Sequence, residues 1–268
     1  MMATRIGVVG AAGRMGQMLV REIAGTSGAV FAGGTESASN PALGRDPGEL
    51  AGTGPTNTRL SDDAAALFAS CAVVIDFTVP AASLMHAKLA ATAGKGLVIG
   101  TTGFSAEHER VIAEAATRAP IVKAPNMSLA VNLLMALTER VAASLGPDYD
   151  IEIFEIHHKH KIDAPSGTAL GLGQAAARGR KVDFASHEVR ARDGHTGPRR
   201  EGTIGFSVAR GGSEVGDHTV MFCGGADRLE LTHKAHSRAG YATGAVRAAL
   251  WLAGRPPGLY SMRDVLGL

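Results

Sequence analysis

The chain has 268 residues, 45% of them apolar and 19% charged, with a formal net charge of +2. This composition excludes disordered and fibrous classes, predicts a globular protein of one or two domains, and gives no sign of a nucleic-acid partner. No apolar run approaches the roughly 18–20 residues of a membrane helix, and the first strand starts too near Met1 to leave room for a signal peptide. With only two cysteines, Cys71 and Cys223, a cytoplasmic location with reduced thiols is expected.

In chain order, Arg5 to Val9 reads as a short apolar strand, Arg14 to Ala24 as a helix and Ala29 to Gly33 as a second strand. Asn40 to Leu60 is rich in Gly, Pro, Thr and Asn and reads as a long loop. Strands at Val73–Phe77, Leu97–Ile99 and Ile121–Lys123 then alternate with helices at Ala81–Ala93 and Ser105–Arg118. Apolar strands separated by amphipathic helices imply a parallel sheet covered on both faces. A long helix from Ser128 to Leu145 changes the rhythm. It leads to a strand at Asp150–Ile156, a helix capped by Ser166, and strand-like runs at His187–Arg190, Thr203–Arg210, His218–Cys223 and Arg228–His233. Strands in succession without helices between them suggest a mixed or antiparallel sheet. Tyr241 to Ala253 returns to a helix. The basic segment Arg190 to Arg200 reads as a solvated loop.

The turn Gly10-Ala11-Ala12-Gly13-Arg14-Met15-Gly16 follows the first strand and opens the first helix. Glycines there allow a tight turn and let a pyrophosphate approach the helix N-terminus. Glu36, just beyond the second strand, stands where an acidic side chain accepts hydrogen bonds from the adenine ribose. Ser37 follows it with no adjacent Arg for a 2′-phosphate, which favours NADH over NADPH. Two further turns, Gly100-Thr101-Thr102-Gly103 and Ala124-Pro125-Asn126-Met127, fall at the same sheet edge and are expected to touch the cofactor. The expected fold class is α/β: a Rossmann-type parallel-sheet domain (1–127), a central α+β domain with a mixed sheet (128–237) and a C-terminal segment returning to the first domain (238–268).

His157 to Lys161 places five titratable nitrogen side chains in consecutive positions at a strand end, just before a helix whose first amides belong to Gly167 and Thr168. A cationic strand end beside such amides suits a small carboxylate substrate. Three readings compete. A metal site of His157, His158 and His160 is disfavoured because consecutive strand residues point to opposite faces and no carboxylate cluster completes a set. Solvated edge residues are the default for Lys159 and His160, and for His86, His108 and His187. Acid/base chemistry needs a group near neutral pKa and a fixed cation, which His157 and Lys161 offer; if the strand continues, they share a face, but the turn before Pro165 is expected to break this near Lys161. No Tyr has a Lys four residues on, and neither Cys stands where a nucleophile would, so a reductase of a noncovalently held anion remains.

Val8 to Gly16, Gly100 to Phe104, Ala124 to Ser128 and above all Glu155 to Thr168 closely resemble the 4-hydroxy-tetrahydrodipicolinate (dihydrodipicolinate) reductases of the diaminopimelate route to lysine. The resemblance implies a homotetramer, with substrate and subunit contacts in the central domain, and hydride transfer from NAD(P)H to a cyclic imine dicarboxylate with loss of water. Carried over, His157 is the acid/base residue and Lys161 the proton donor. His158, Gly167 and Thr168 hold one substrate carboxylate and Thr102 touches the other. Gly10 to Met15, Glu36, Gly100, Thr101, Thr102 and Ala124 to Met127 contact the cofactor. Ser37 departs from the basic residue of many relatives, which puts NADPH preference in doubt. An aspartate-dehydrogenase-like reductase of another imino or oxo dicarboxylate, and a non-catalytic nicotinamide-binding regulator, are the alternatives.

Overall fold

The computed structural model describes residues 3–268. The chain forms two compact units, one running to Leu129 and resuming over Ala239–Leu268, the other spanning Ala130–Arg238.

The first unit opens with β1 (Thr4–Val9), α1 (Arg14–Gly25) and β2 (Ala29–Thr35). The 40–60 stretch, expected as loop, holds a five-residue helix, α2 (Pro47–Ala51). Asp46 caps it by accepting from Gly48 N–H and Glu49 N–H, Pro47 starts it, and Gly52 ends it in the left-handed conformation, a complete start and stop within seven residues. A second unanticipated helix, α3 (Ala64–Ser70), is capped by Asp63. Then follow β3 (Val73–Asp76), α4 (Pro80–Ala93), β4 (Gly96–Ile99), α5 (Ala106–Ala116), β5 (Pro120–Lys123) and the start of α6 (Leu129–Leu145).

The second unit contains β6 (Asp150–His157), α7 (Gly167–Arg180), α8 (Phe184–His187), β7 (Glu188–Val189), β8 (Ile204–Arg210), β9 (Asp217–Cys223) and β10 (Arg228–Lys234). The strand expected at His187–Arg190 shrinks to two residues because Asp183 caps a helical turn over its beginning. The chain then rejoins the first unit through α9 (Ala239–Leu252), β11 (Gly258–Tyr260) and α10 (Met262–Leu266). Among the described residues no helix is long and apolar enough to cross a membrane.

The first sheet is wholly parallel, in the order β11-β5-β4-β3-β1-β2. Its strands are apolar at their centres because both faces are covered, with polar residues such as Asp76 and Lys123 at their carboxyl ends. On β3, Val73 and Ile75 join the core beneath α1 and α9, while Val74 joins the core beneath α3, α4 and α5. The order reverses between β1 and β3, which makes the carboxyl end of these strands the ligand-binding crevice of such a sheet.

The second sheet, in the order β10-β9-β6-β8-β7, is mixed: β6 runs parallel to β8 and antiparallel to β9. Its helix-covered face buries Ile151, Ile153, Ile204, Phe206, Val220 and Phe222 against Leu172, Ala176 and neighbours. Because β8 and β9 lie on opposite sides of β6, the loop joining them crosses over the end of β6, at His157. The 190–200 segment is not simply solvated. Arg199 bonds to Asp150 Oδ1 at 2.9 Å and Glu152 Oε1 at 3.1 Å, and Arg192 grips both Glu152 oxygens at 2.9 and 2.7 Å. Acidic side chains on the outward face of β6 hold it down.

Candidate active site

In the first unit, β1 ends at a turn through Gly10, whose φ of +68° suits glycine. A Cβ on Gly16 would lie 2.2 Å from Gly10 O and 2.5 Å from Ala11 Cα, so the turn closes only without a side chain there. Thr35 O accepts the Gly10 and Ala11 N–H groups at 2.8 and 3.1 Å, fixing the turn to β2. Gly13, the N-cap of α1, supplies no side-chain cap. The helix therefore presents its positive end, at Arg14 and Met15, to an external anion. Glu36 Oε1 accepts the Ala12 N–H at 2.8 Å and Oε2 the Ser37 N–H at 3.3 Å, which places the carboxylate beside the turn. These residues fit a dinucleotide: an uncapped helix end for pyrophosphate and an adjacent carboxylate for ribose hydroxyls.

The neighbouring turns are braced from below. Asp76 ends β3 wholly buried, with His86 Nδ1 at 2.8 Å from Oδ2; Oδ1 accepts Thr78 N–H at 2.8 Å, Thr78 O–H at 2.6 Å and Thr101 O–H at 3.3 Å. Burial acts to raise the Asp76 carboxyl, but His86 and Thr78 outweigh it and hold it below its usual range. His86, read from sequence as a solvated residue, is thus half of a buried hydrogen-bonded pair, because it lies on the inner side of α4 facing β3. Thr101 is also buried and accepts from Ser83 O–H at 2.9 Å, so its hydroxyl faces inward and only its backbone is left for a ligand. Thr102 is exposed. At Gly100 a Cβ would meet the Phe77 ring at 2.3 Å. Ala124 N–H bonds Ile99 O at 3.2 Å, which sets the 124–127 turn beside it. Within that turn Pro125 is exposed and Asn126 Oδ1 accepts Ser128 N–H at 2.8 Å. Met127 is core at 1% exposure, so any cofactor contact there belongs to its backbone.

In the second unit, β6 ends at His157. Beyond it the chain bends, with Lys161 N–H bonded to His158 O at 3.1 Å, so the strand does not continue and the alternation breaks before Lys161, as the turn ahead of Pro165 implies. The β8–β9 loop clasps this bend: His157 O accepts Gly211 N–H at 2.9 Å, His158 N–H reaches Glu214 O at 2.7 Å and Lys159 N–H reaches Gly212 O at 3.3 Å. Ser166 caps α7 by accepting Ala169 N–H at 3.2 Å, as its position predicts. Gly167 follows in the first turn, with nothing within 4 Å of where a Cβ would be, and Thr168 is next to it. Lys161 Nζ donates to Asp163 Oδ1 at 2.8 Å. An open pocket of ≈ 670 Å³ is lined by His158, Lys159, His160, Gly212, Ser213 and Arg238. It includes His158 among the expected substrate ligands; His157, Lys161, Gly167 and Thr168 lie outside its lining.

Three side chains missed from sequence, Glu155, Arg210 and His218, converge behind this bend. Glu155, only 1% exposed, points to the same face as His157. Its Oε1 accepts Ser166 N–H at 3.0 Å and Arg210 Nη2 at 3.1 Å. Its Oε2 lies 3.5 Å from His157 Nδ1 and 3.4 Å from His218 Nε2. Gly216 sits on the other side of His157, where a Cβ would come 2.8 Å from Nε2. Burial acts to raise the Glu155 carboxyl, but His218, Ser166 and Arg210 bring it to about 2. Burial pushes His157 down to about 4, with His218, Lys161 and Arg210 adding to the shift against the pull of Glu155. The near-neutral value expected from sequence is therefore replaced by an imidazole that is neutral at pH 7, a proton acceptor. Glu155, His157 and His218 also lie close enough to share an ion, but Arg210 already supplies the positive charge. The i, i+2 spacing of Glu155 and His157 was the available signal for their shared face.

Fold and site together define a dinucleotide-dependent oxidoreductase built on a Rossmann-type sheet with an appended mixed-sheet unit. The family patterns "Dihydrodipicolinate reductase, N-terminus" and "Dihydrodipicolinate reductase, C-terminus" match residues 4–127 and 130–266. A protein of Methylocella silvestris named 4-hydroxy-tetrahydrodipicolinate reductase is 55% identical over 98% of this chain and 97% of its own length. One of Mesorhizobium japonicum, named 4-hydroxy-tetrahydrodipicolinate reductase 1, is 57% identical over 97% of this chain and 96% of its own. The chain belongs to the dihydrodipicolinate reductase family. Among solved structures, a dipicolinate-bound dihydrodipicolinate reductase from Paenisporosarcina sp. TG-14 shares the fold, with TM-score 0.78 at 23% identity over 98% of this chain and 99% of that one.

Proposed function

We propose that this chain reduces (2S,4S)-4-hydroxy-2,3,4,5-tetrahydrodipicolinate to tetrahydrodipicolinate, consuming NAD(P)H and a proton and releasing water. The observation that carries the reading is the end of β6, where His157, His158 and Lys161 are brought beside the N-terminus of α7. When bound, the reduced nicotinamide supplies the hydride. Glu36 and the Gly10–Met15 turn would hold the dinucleotide by its adenine ribose and pyrophosphate, with the backbones at Gly100, Thr101, Thr102 and Ala124–Met127 lying along the rest of it. His158, the Gly167 amide and Thr168 grip one carboxylate of the substrate and Thr102 the other. Fixed positive charge and oriented amides draw electrons from the ring as it is reduced. Lys161 gives the proton that the balance requires, and neutral His157 takes the ring proton lost in dehydration and returns it to the departing 4-hydroxyl, which leaves as water with no net change at the imidazole.

The residues beside Glu36 support NADH as the favoured cofactor, since Ser37 offers no cation to a 2′-phosphate. We assign the first unit to cofactor, the second to substrate and subunit contact, and the protein to the cytoplasm, consistent with two free cysteines. The homotetramer reading is supported by the outward face of the mixed sheet, where Phe154 is 38% exposed; light scattering that finds a monomer overturns it. NADH and NADPH turnover with freshly condensed pyruvate and aspartate semialdehyde tests reaction and cofactor together. Absence of turnover with either cofactor overturns the assignment.

A further inference from the structure

The geometry points to Glu155 and His218 as positioning residues for His157, holding its Nδ1 edge toward a buried carboxylate so that Nε2 is presented to the substrate, and tying it through Ser166 to the helix end that grips the substrate. This rests on His157 being the acid/base residue proposed above.

Strand β6 is the first observation. Ile151 and Ile153 fill the helix-covered face, and strict alternation sends Glu155 and His157 to the same face, into the interior. A carboxylate there needs partners. Its Oε1 has two donors, Ser166 N–H and Arg210 Nη2. Its Oε2 has no hydrogen bond, although it is buried, yet two imidazole nitrogens lie within 3.5 Å. His218 Nε2 also lies 3.1 Å from Ser166 Oγ, which in turn accepts from Ala169 N–H of α7. The His157 and His218 rings meet edge to face at 5.1 Å. One acid thus joins β6, β8, β9 and the start of α7.

The tautomer follows from the two edges of His157. Nδ1 is buried and lies 3.5 Å from Glu155 Oε2, an acceptor-only carboxylate oxygen, so that edge carries the proton. Nε2 lies toward Gly216, where the missing side chain leaves room. When Nε2 takes a proton, the new cation has an anion at its back. Without Glu155 the same cation would face Arg210 and Lys161, with His218 beside it; beyond His218 on β10, His233 is faced by Asp217 and His236, and Asp163 is engaged by Lys161.

Replacing Glu155 by Gln gives a sharp test. Ser166 N–H and Arg210 are both donors, so they select the amide oxygen for the Oε1 position. The amide NH2 then falls at the Oε2 position and donates toward His157 Nδ1, which reverses the tautomer. In multiple-bond 15N–1H NMR of histidine-labelled protein, wild type is expected to show His157 as the Nδ1–H form and Glu155→Gln as the Nε2–H form. For Glu155→Gln, kcat falls about a hundredfold, within the range of positioned acid–base groups. KM and NADH affinity stay within about twofold and the acid limb of the kcat profile moves to lower pH. His218→Gln lowers kcat about tenfold, the effect of a loosened orientation.

An Nε2–H tautomer in wild type, or a folded Glu155→Gln with kcat within about twofold of wild type, overturns the proposal. If Glu155→Gln fails to fold because Arg210 loses its partner, the wild-type tautomer and the kcat of His218→Gln decide it. Wild type that turns over no imine dicarboxylate sinks the functional reading instead, and the tautomer then decides the positioning claim alone.

Discussion

The Nε2 edge of His157 lies against the backbone of Gly216, at the point where a Cβ would come within 2.8 Å of it. Gly216 is the last residue of the loop that crosses the end of β6, and its φ of +152° adds a second reason for glycine. Gly216→Ala is expected to push the imidazole aside and lower kcat about a hundredfold, with NADH affinity unchanged. Steady-state kinetics and a binding titration check this. Undiminished kcat would show that Nε2 is not the working edge.

Lys161 donates to Asp163 from the bend that follows β6. Lys161→Ala is expected to remove most turnover, on the order of 10²–10⁴-fold for a lost proton donor. NADH binding, measured by fluorescence, should survive. Loss of cofactor binding instead would refute the role given to Lys161.

Acid stability follows from two lowered groups. His157 titrates at about 4 in the fold against 6.5 for an ordinary histidine, and Glu155 at about 2 against 4.5. In both cases the unfolded chain binds the proton more readily, so stability is complete above 6.5 and is lost as pH falls. The His157 contribution declines between 6.5 and 4 and that of Glu155 between 4.5 and 2. Tm is therefore expected to drop between pH 7.5 and 4, and His157→Asn should flatten the upper part of that slope. A Tm independent of pH in wild type contradicts these assignments.

Among the described residues, His86 is the titratable partner that meets the wholly buried Asp76, at 2.8 Å. His86→Ala leaves that carboxylate with hydroxyl and amide donors alone, the loss of a buried hydrogen-bond partner that costs about 1–3 kcal/mol. Urea unfolding measures it. Because Asp76 also receives Thr101, NADH affinity is expected to weaken in the same variant. A loss below about 1 kcal/mol would mean the Thr78 donors suffice.

The parallel sheet was legible because its strands are short apolar runs with turn signals at both ends, and the Gly10 turn announced its own chemistry. Helices α2 and α3 were not, since five and seven residues give too few turns for a periodic pattern. The site was legible in residue types but not in orientation. Apolarity would place Phe154 inside and Glu155 outside, yet alternation from Ile151 and Ile153 does the reverse. That conflict between residue type and position marks a functional strand. His218 and Arg210 could not be found from sequence, because their approach to Glu155 depends on the sheet order β9-β6-β8.

Strands β8 and β9 are neighbours in sequence yet are parted by β6, so the 211–216 connection is a buckle fastened across the tip of the very ribbon it flanks. Its length is fixed by the width of that middle ribbon, which leaves this corner of the molecule little tolerance for insertion or for new chain termini. Engineering that needs a permissive cut is better directed to residues 193–198, between the anchors Arg192 and Arg199. Grafting at 211–216 would unclasp the imidazole before it loosened anything else.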